Sequence, residues 1–212
     1  MTTRRDFLRK SALVIAAAPM INSEMIASSR PSKKTGLALY TIGDAMVKDP
    51  AAALAGAAET GYTWIEAADH RDGKFYGMKP KEFSKLVRKN GMVAISSHSG
   101  LNPENYEKMI DEAAEAGMKY IILPSLPGDW SNTIDGYQRA ADFFNRAGAK
   151  CRKAGITFGF HNHQVEFREI NGRVPYDILV EQSDPKLVIF EMDLAWISAA
   201  GKDPVAYFRK YP

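Results

Sequence analysis

The stretch Gly155-Ile156-Thr157-Phe158-Gly159-Phe160-His161-Asn162-His163 holds the pattern of the whole chain: a glycine, a short apolar run and a polar tip. A glycine just past a helical segment supplies the left-handed residue that a helix C-terminus wants. The same joint recurs at Gly61-Tyr62, Gly91-Met92 and Gly117-Met118, each time just before another apolar run. Working outward from these joints, strands are predicted at 37–41, 64–67, 93–97, 120–123, 157–161 and 187–192. Between them, residues 50–59, 80–90, 103–116, 134–154 and 176–182 space their apolar side chains by three and four, as surface helices do. Three of these segments open on Pro50, Pro80 or Pro103, where the missing N–H costs nothing in a first helical turn. Residues 203–212 read as one more helix.

Six strands alternating with helices imply a parallel α/β architecture. The repetition alone admits either an open doubly wound sheet or most of an eight-stranded barrel. Two features favour the barrel. No glycine-rich phosphate loop follows the first strand, which runs instead into Tyr40-Thr41-Ile42-Gly43-Asp44. Ionisable residues also gather at the C-terminal strand ends, at Glu66 with Asp69-His70, at His98, at His161 to His163 and at Glu191 to Asp193. That is the face on which barrel enzymes build their sites. The expectation is therefore an incomplete (β/α)8 TIM barrel over 36–212, with about six βα units against the roughly 250 residues of a full barrel.

The N-terminus carries a different signal. Arg4-Arg5-Asp6-Phe7-Leu8-Arg9-Lys10 precedes the apolar run 12–21, which is too short to span a bilayer. Residues 1–29 thus read as a twin-arginine export signal and linker, which would place the mature domain in the periplasm or beyond, with no membrane span after cleavage. The formal charge of +3 lies partly in that segment, so the remainder is close to neutral and offers no basic patch for nucleic acid. Hydrophobic residues make up 45% of the 212, enough for a proper core. Cys151 is the one cysteine, so no internal disulfide is available.

Several side chains are candidates for chemistry. His161 and His163 fall on one face of an extended segment, because strand side chains alternate, and either can ligate a metal or move a proton. Glu166 joins them only where the chain turns after Gln164. Glu191 and Asp193 share a face on the sixth strand, and two buried carboxylates call for a cation or hydrogen-bond donors. Glu66, His98 and Trp196 stand at the rim as candidate substrate contacts.

On these residues the chain resembles the xylose isomerase-like barrels, often called sugar phosphate isomerases/epimerases. The most specific segments are Gly159-Phe160-His161-Asn162-His163-Gln164-Val165-Glu166-Phe167 and Met192-Asp193-Leu194-Ala195-Trp196, followed by Gly201-Lys202-Asp203-Pro204 and Arg209-Lys210-Tyr211-Pro212. The resemblance implies a barrel with one divalent ion, Mn, Mg, Zn or Co, held by side chains of strands five to eight. Asp193 matches the ligand of strand six, His161 stands where the family carries a glutamate and Glu166 lies further along. The ligands of strands seven and eight would fall beyond Pro212, which implies a chain truncated at its C-terminus. The site expected is thus Asp193, His161 and Glu166 for the metal, His163 and Glu166 for catalysis, and Glu66, His98, Glu191 and Trp196 for substrate. The activity implied is a metal-dependent isomerase or epimerase of a sugar or keto-sugar, working through an enediolate. The alternatives are a metal-dependent lyase or hydrolase of 3-keto-glycosides and a non-catalytic carbohydrate-binding barrel. The expected partner is a small carbohydrate, and a homo-oligomer is compatible with the sequence.

Overall fold

The computed structural model describes residues 34–212, so the export signal read at 1–29 lies outside the described residues. In chain order the elements are β1 (Gly36–Ala38), α1 (Gly43–Lys48), α2 (Pro50–Glu59), β2 (Trp64–Ala67), a hairpin of β3 (His70–Arg71) and β4 (Lys74–Phe75), and α3 (Pro80–Lys89). They continue as β5 (Val93–Ser97), α4 (Tyr106–Glu115), β6 (Tyr120–Leu123), α5 (Ile134–Ala154), β7 (Thr157–His161), α6 (Pro175–Gln182), β8 (Val188–Glu191), α7 (Leu194–Ala199) and α8 (Pro204–Lys210).

The long strands run parallel, β1 beside β2 beside β5 and β6 beside β7 beside β8, and a bridge from His98 to Ile122 joins the two groups. Their spatial order follows the chain without reversing, which is the arrangement of a barrel and not of a doubly wound sheet. Among the described residues, β1 and β8 each pair on one side. The helices cover the outer face, where Phe83, Phe143, Phe144, Phe158 and Phe160 are wholly buried. No helix among the described residues is long and apolar enough to cross a membrane.

The glycine joints are where the sequence puts them: Gly61, Gly91, Gly117 and Gly155 have φ of 94°, 73°, 75° and 77°. Four of the six strands keep the predicted bounds, and two are shorter. The first ends at Ala38 because its ladder ends at the Ala38–Glu66 pair, after which Leu39–Ile42 tighten into a 3₁₀ turn. The last ends at Glu191, opposite His161, where the β7–β8 ladder stops. The fourth helix starts at Tyr106 and not at Pro103, because the Asn102 side chain accepts from the N–H groups of Glu104 and Asn105 and holds a separate turn. The β3–β4 hairpin was not foreseen. Its strands are too short to show periodicity, although Asp72-Gly73, with φ of 52° and 72°, is a recognised hairpin turn pair.

Candidate functional site

Parallel pairing sets the first contact of the site. His161 of β7 lies in register with Glu191 of β8, so both side chains leave the same face, and His161 Nδ1 is 2.9 Å from Glu191 Oε1. The same oxygen lies 3.0 Å from Nε2 of His98, the residue just past β5. His98 Nε2 is also 3.2 Å from Glu66 Oε1 of β2. Register acts again here: Glu66 pairs with Ser96, whose hydroxyl donates to Glu66 Oε2 at 2.7 Å. Four strand tips thus present two imidazoles and two carboxylates to one point.

Burial and mutual charge then give these groups different acidities. Burial works to raise the Glu191 carboxyl, yet hydrogen bonds and charge from His161 and His98 hold it down at about 2. Glu66 lacks that pair of donors, and burial pushes its carboxyl up. His98 is pulled down by burial, but its hydrogen bond with Glu191 and the charges of Glu66, Glu191 and Asp193 outweigh this and raise it. His163 goes the other way, lowered by burial and by the neighbouring His161, which leaves it a free lone pair near neutrality.

The other expected residues fall around this group. Asp193 is the N-cap of α7, with Oδ1 accepting from the N–H groups of Ala195 and Trp196 at 2.8 Å, while Oδ2 lies 3.7 Å from His161 Nε2. His163 packs edge-on to His161 at 5.0 Å and against the Trp196 ring at 5.3 Å. The turn after Gln164 exists as a 3₁₀ segment, Val165–Phe167, but it buries Glu166 at 2% exposure. The Glu166 carboxylate accepts the His163 backbone N–H at 2.7 Å, and burial raises its pKa. Of the trio expected to hold a metal, His161 stands in the converging group, Asp193 borders it and Glu166 braces the backbone beneath it.

One residue escaped the sequence reading. Asn162 is fully buried, and its amide faces the Asp193 backbone, accepting from the N–H at 2.9 Å and donating to the carbonyl at 3.3 Å. It extends the β7–β8 ladder by a side-chain rung where the backbone rungs end. The sequence signal was a polar residue between two histidines at a strand tip, which alternation points into the wall.

The site opens into a cavity of about 830 Å³ lined by Tyr40, Glu66, His98, His161, Glu191 and Trp196 among others. One ligand atom from each of His98, His161 and Glu191 lies within 4.8 Å of the others, so this group can hold a metal ion. The donor set fits a divalent cation: two imidazoles and a carboxylate of low pKa suit a borderline ion, and Glu66 stands by as a further oxygen.

A parallel barrel with a cation-capable cluster at its C-terminal strand ends defines a class of catalytic scaffold. The chain belongs to the xylose isomerase-like TIM barrel family, whose model matches residues 54–210. Among solved structures, a sugar phosphate isomerase/epimerase from Parabacteroides distasonis ATCC 8503 is similar at 31% identity and a TM-score of 0.79, over 87% of this chain and 73% of that one. A second sugar phosphate isomerase/epimerase from the same organism is 28% identical with a TM-score of 0.76, over 84% of this chain and 75% of that one. D-psicose 3-epimerase from Clostridium cellulolyticum H10, solved with D-tagatose, shares the fold at 16% identity and a TM-score of 0.55, over 71% of this chain and 60% of that one. No curated protein sequence matches the chain.

Proposed function

We propose that this chain is a divalent-metal-dependent isomerase or epimerase of a sugar or keto-sugar. The observation that carries the reading is the convergence of His98, His161 and Glu191 within 4.8 Å in the wall of a cavity of about 830 Å³. The similarity to sugar phosphate isomerases/epimerases supports it. His98, His161 and Glu191 would hold the ion, with Asp193 bordering it. When bound, a divalent cation polarises adjacent substrate oxygens and stabilises the negative charge that develops as the proton beside a carbonyl leaves.

The chain's own residues supply the rest. His163 is largely neutral at neutral pH and takes the substrate proton on a ring nitrogen, with the Trp196 ring packed beside it to fix its plane. Glu66, with its carboxyl pushed up by burial, returns a proton at the neighbouring carbon or on the opposite face. Tyr40 and Trp196 offer flat apolar surfaces to the C–H face of a sugar ring. The size of the cavity, near the upper end of the range for small-molecule pockets, favours one second reading: a substrate that carries a further substituent, as in a lyase or hydrolase acting on 3-keto-glycosides. We place the activity outside the cytoplasm, on the twin-arginine pattern of Arg4-Arg5 and the apolar run that follows.

The test is proton exchange. With Mn²⁺, the chain incubated with ketohexoses in deuterated water should introduce deuterium beside the carbonyl, and His163→Ala should slow this by about 10²–10⁴-fold. Release of a free aglycone from 3-keto-glycosides would select the second reading. A metal-loaded chain that exchanges no proton and releases no aglycone would refute both.

A further inference from the structure

A second buried polar cluster lies behind β5, separate from the converging His98, His161, Glu191 and Glu66 side chains, with His70 at the edge of the cavity wall. His70 has a wholly buried side chain, with Nε2 2.9 Å from Glu112 Oε2 and Nδ1 2.9 Å from Ser99 Oγ. Ser99 Oγ is in turn 2.6 Å from Ser97 Oγ. The residues come from the β3–β4 hairpin, from α4 and from the end of β5. Because strand side chains alternate, Ser96 and His98 face the cavity while Ser97 and Ser99 face the helical layer, one on each side of His98.

Hydrogen-bond bookkeeping gives the chain one consistent polarity. The Glu112 carboxylate can only accept, so His70 Nε2–H donates to it, and a neutral ring then has a lone pair at Nδ1. That lone pair accepts from the Ser99 hydroxyl, whose oxygen accepts from the Ser97 hydroxyl at 2.6 Å, the shorter of the two acceptors within reach of Ser97, the other being the His98 carbonyl at 3.3 Å. Burial, which lowers the His70 pKa against the pull of Glu112, favours this neutral form. The ring is also stacked on Phe75 at 4.1 Å, and Phe75 on Phe83 at 5.5 Å, so His70 cannot swing away. A nucleophilic role for Ser99 fails on access, since the residue is 1% exposed and its hydroxyl faces away from the cavity. What the chain does reach is the backbone on both sides of His98: the His98 N–H donates to Ala67 O at 2.7 Å, and the Ser99 N–H donates to Ile122 O at 2.8 Å.

We infer that His70 is a positioning residue. Anchored on Glu112, it orders the Ser99 and Ser97 hydroxyls and so fixes the tip of β5 in the geometry that aims His98 at Glu191 and Glu66. The inference rests on reading His98 as one of the side chains that hold a cation, and its test separates the two. In the full chain without metal, His70→Phe and Ser99→Ala should each speed amide exchange at His98 and Ser99 by about tenfold or more, leaving Phe160 of β7 unchanged. In a titration with Mn²⁺ alone, both variants should bind about 10–100-fold more weakly than the wild type. His70→Gln, whose amide can donate to Glu112 and accept from Ser99, should restore both readouts to within about threefold of wild type. Ser99→Ala keeps the test decisive where His70→Phe fails to fold.

Unchanged exchange at His98 and Ser99 in a folded variant would overturn the inference. So would faster exchange with unaltered Mn²⁺ affinity, because the tip would then be ordered to no effect on the site. A wild-type chain that takes up no Mn²⁺ would sink the cation reading instead, and the exchange rates alone would then decide whether His70 orders the tip.

Discussion

Glu66 and Glu191 are the same chemical group on either side of His98, and the site makes them opposites. Glu191 has two imidazole donors and a pKa held at about 2, whereas Glu66 is pushed up by burial. A carboxyl whose pKa is raised in the folded state contributes stability that is fully present below its unfolded pKa of about 4.3 and is lost as pH rises through the folded value. Glu66→Gln removes that loss, and the amide oxygen can still accept from Ser96. In the metal-free chain at pH 7 the variant should melt at or above the wild-type temperature, by up to about 2–4 °C per kcal/mol relieved, and the gain should vanish below about pH 4. Calorimetry across pH checks this; a variant that melts lower at pH 7 would mean that the ionised form of Glu66 is stabilised. Its turnover should fall by about 10²-fold or more if Glu66 moves a proton. Part of this site was legible in the sequence, since the apolar runs that end at His161 and Glu191 put those two residues at strand tips, whereas His163 and Asp193 lie two residues beyond the strand ends. The pairing of His161 with Glu191 was not legible, because register is fixed by non-local packing and no local pattern in either strand states it.

At the scale of elements, the close approach of α5 to the start of β8 depends on a missing side chain. A Cβ at Gly148 would meet Leu187 O at 2.6 Å and Leu187 Cβ at 2.9 Å, and the oxygen is backbone that cannot step aside. Gly148→Ala should therefore lower stability by about 1–3 kcal/mol, and the melting temperature by several degrees. Leu187 immediately precedes β8, at the end away from Glu191, so Mn²⁺ affinity should stay within about twofold of wild type, being set by side chains at the far strand ends. Equal melting temperatures for the two chains would mean that the helix shifts freely over the sheet. The helix itself was predicted residue for residue, because 21 residues of three-and-four spacing between Thr133, whose hydroxyl accepts from the Gly136 N–H, and the left-handed Gly155 leave little ambiguity. The short elements were not predictable in this way. The β3–β4 hairpin has two residues per strand, and α1 and α7 have six residues each, too few turns for an apolar period to emerge. These short elements carry His70 and the cap at Asp193, so periodicity was least informative where the site is braced.

For the whole molecule, the cluster of His98, His161 and Glu191 is a long-range tie. His98 and Glu191 are 93 residues apart, and the contact between them exists only when β5, β7 and β8 stand in their places in the curved sheet. The unfolded chain presents the same side chains scattered, so an ion that needs all of them binds the folded form alone and stabilises it by mass action. At a free concentration 100 times the dissociation constant that is about 2.7 kcal/mol, which for a domain of this size amounts to roughly 5–10 °C in melting temperature. Stripping the chain with a chelator and restoring Mn²⁺, Mg²⁺, Zn²⁺ or Co²⁺ in turn should raise the melting temperature by that order with the preferred ion, and the ranking names the metal. His161→Ala loses a ligand and leaves Glu191 with one imidazole, so its melting temperature should rise by less than about 2 °C at the same ion concentration. If none of the four ions moves the wild type, or if His161→Ala responds as fully as the wild type does, the strand tips do not form a cation site, and the convergence of His98, His161 and Glu191 is an ordinary ion-pair network.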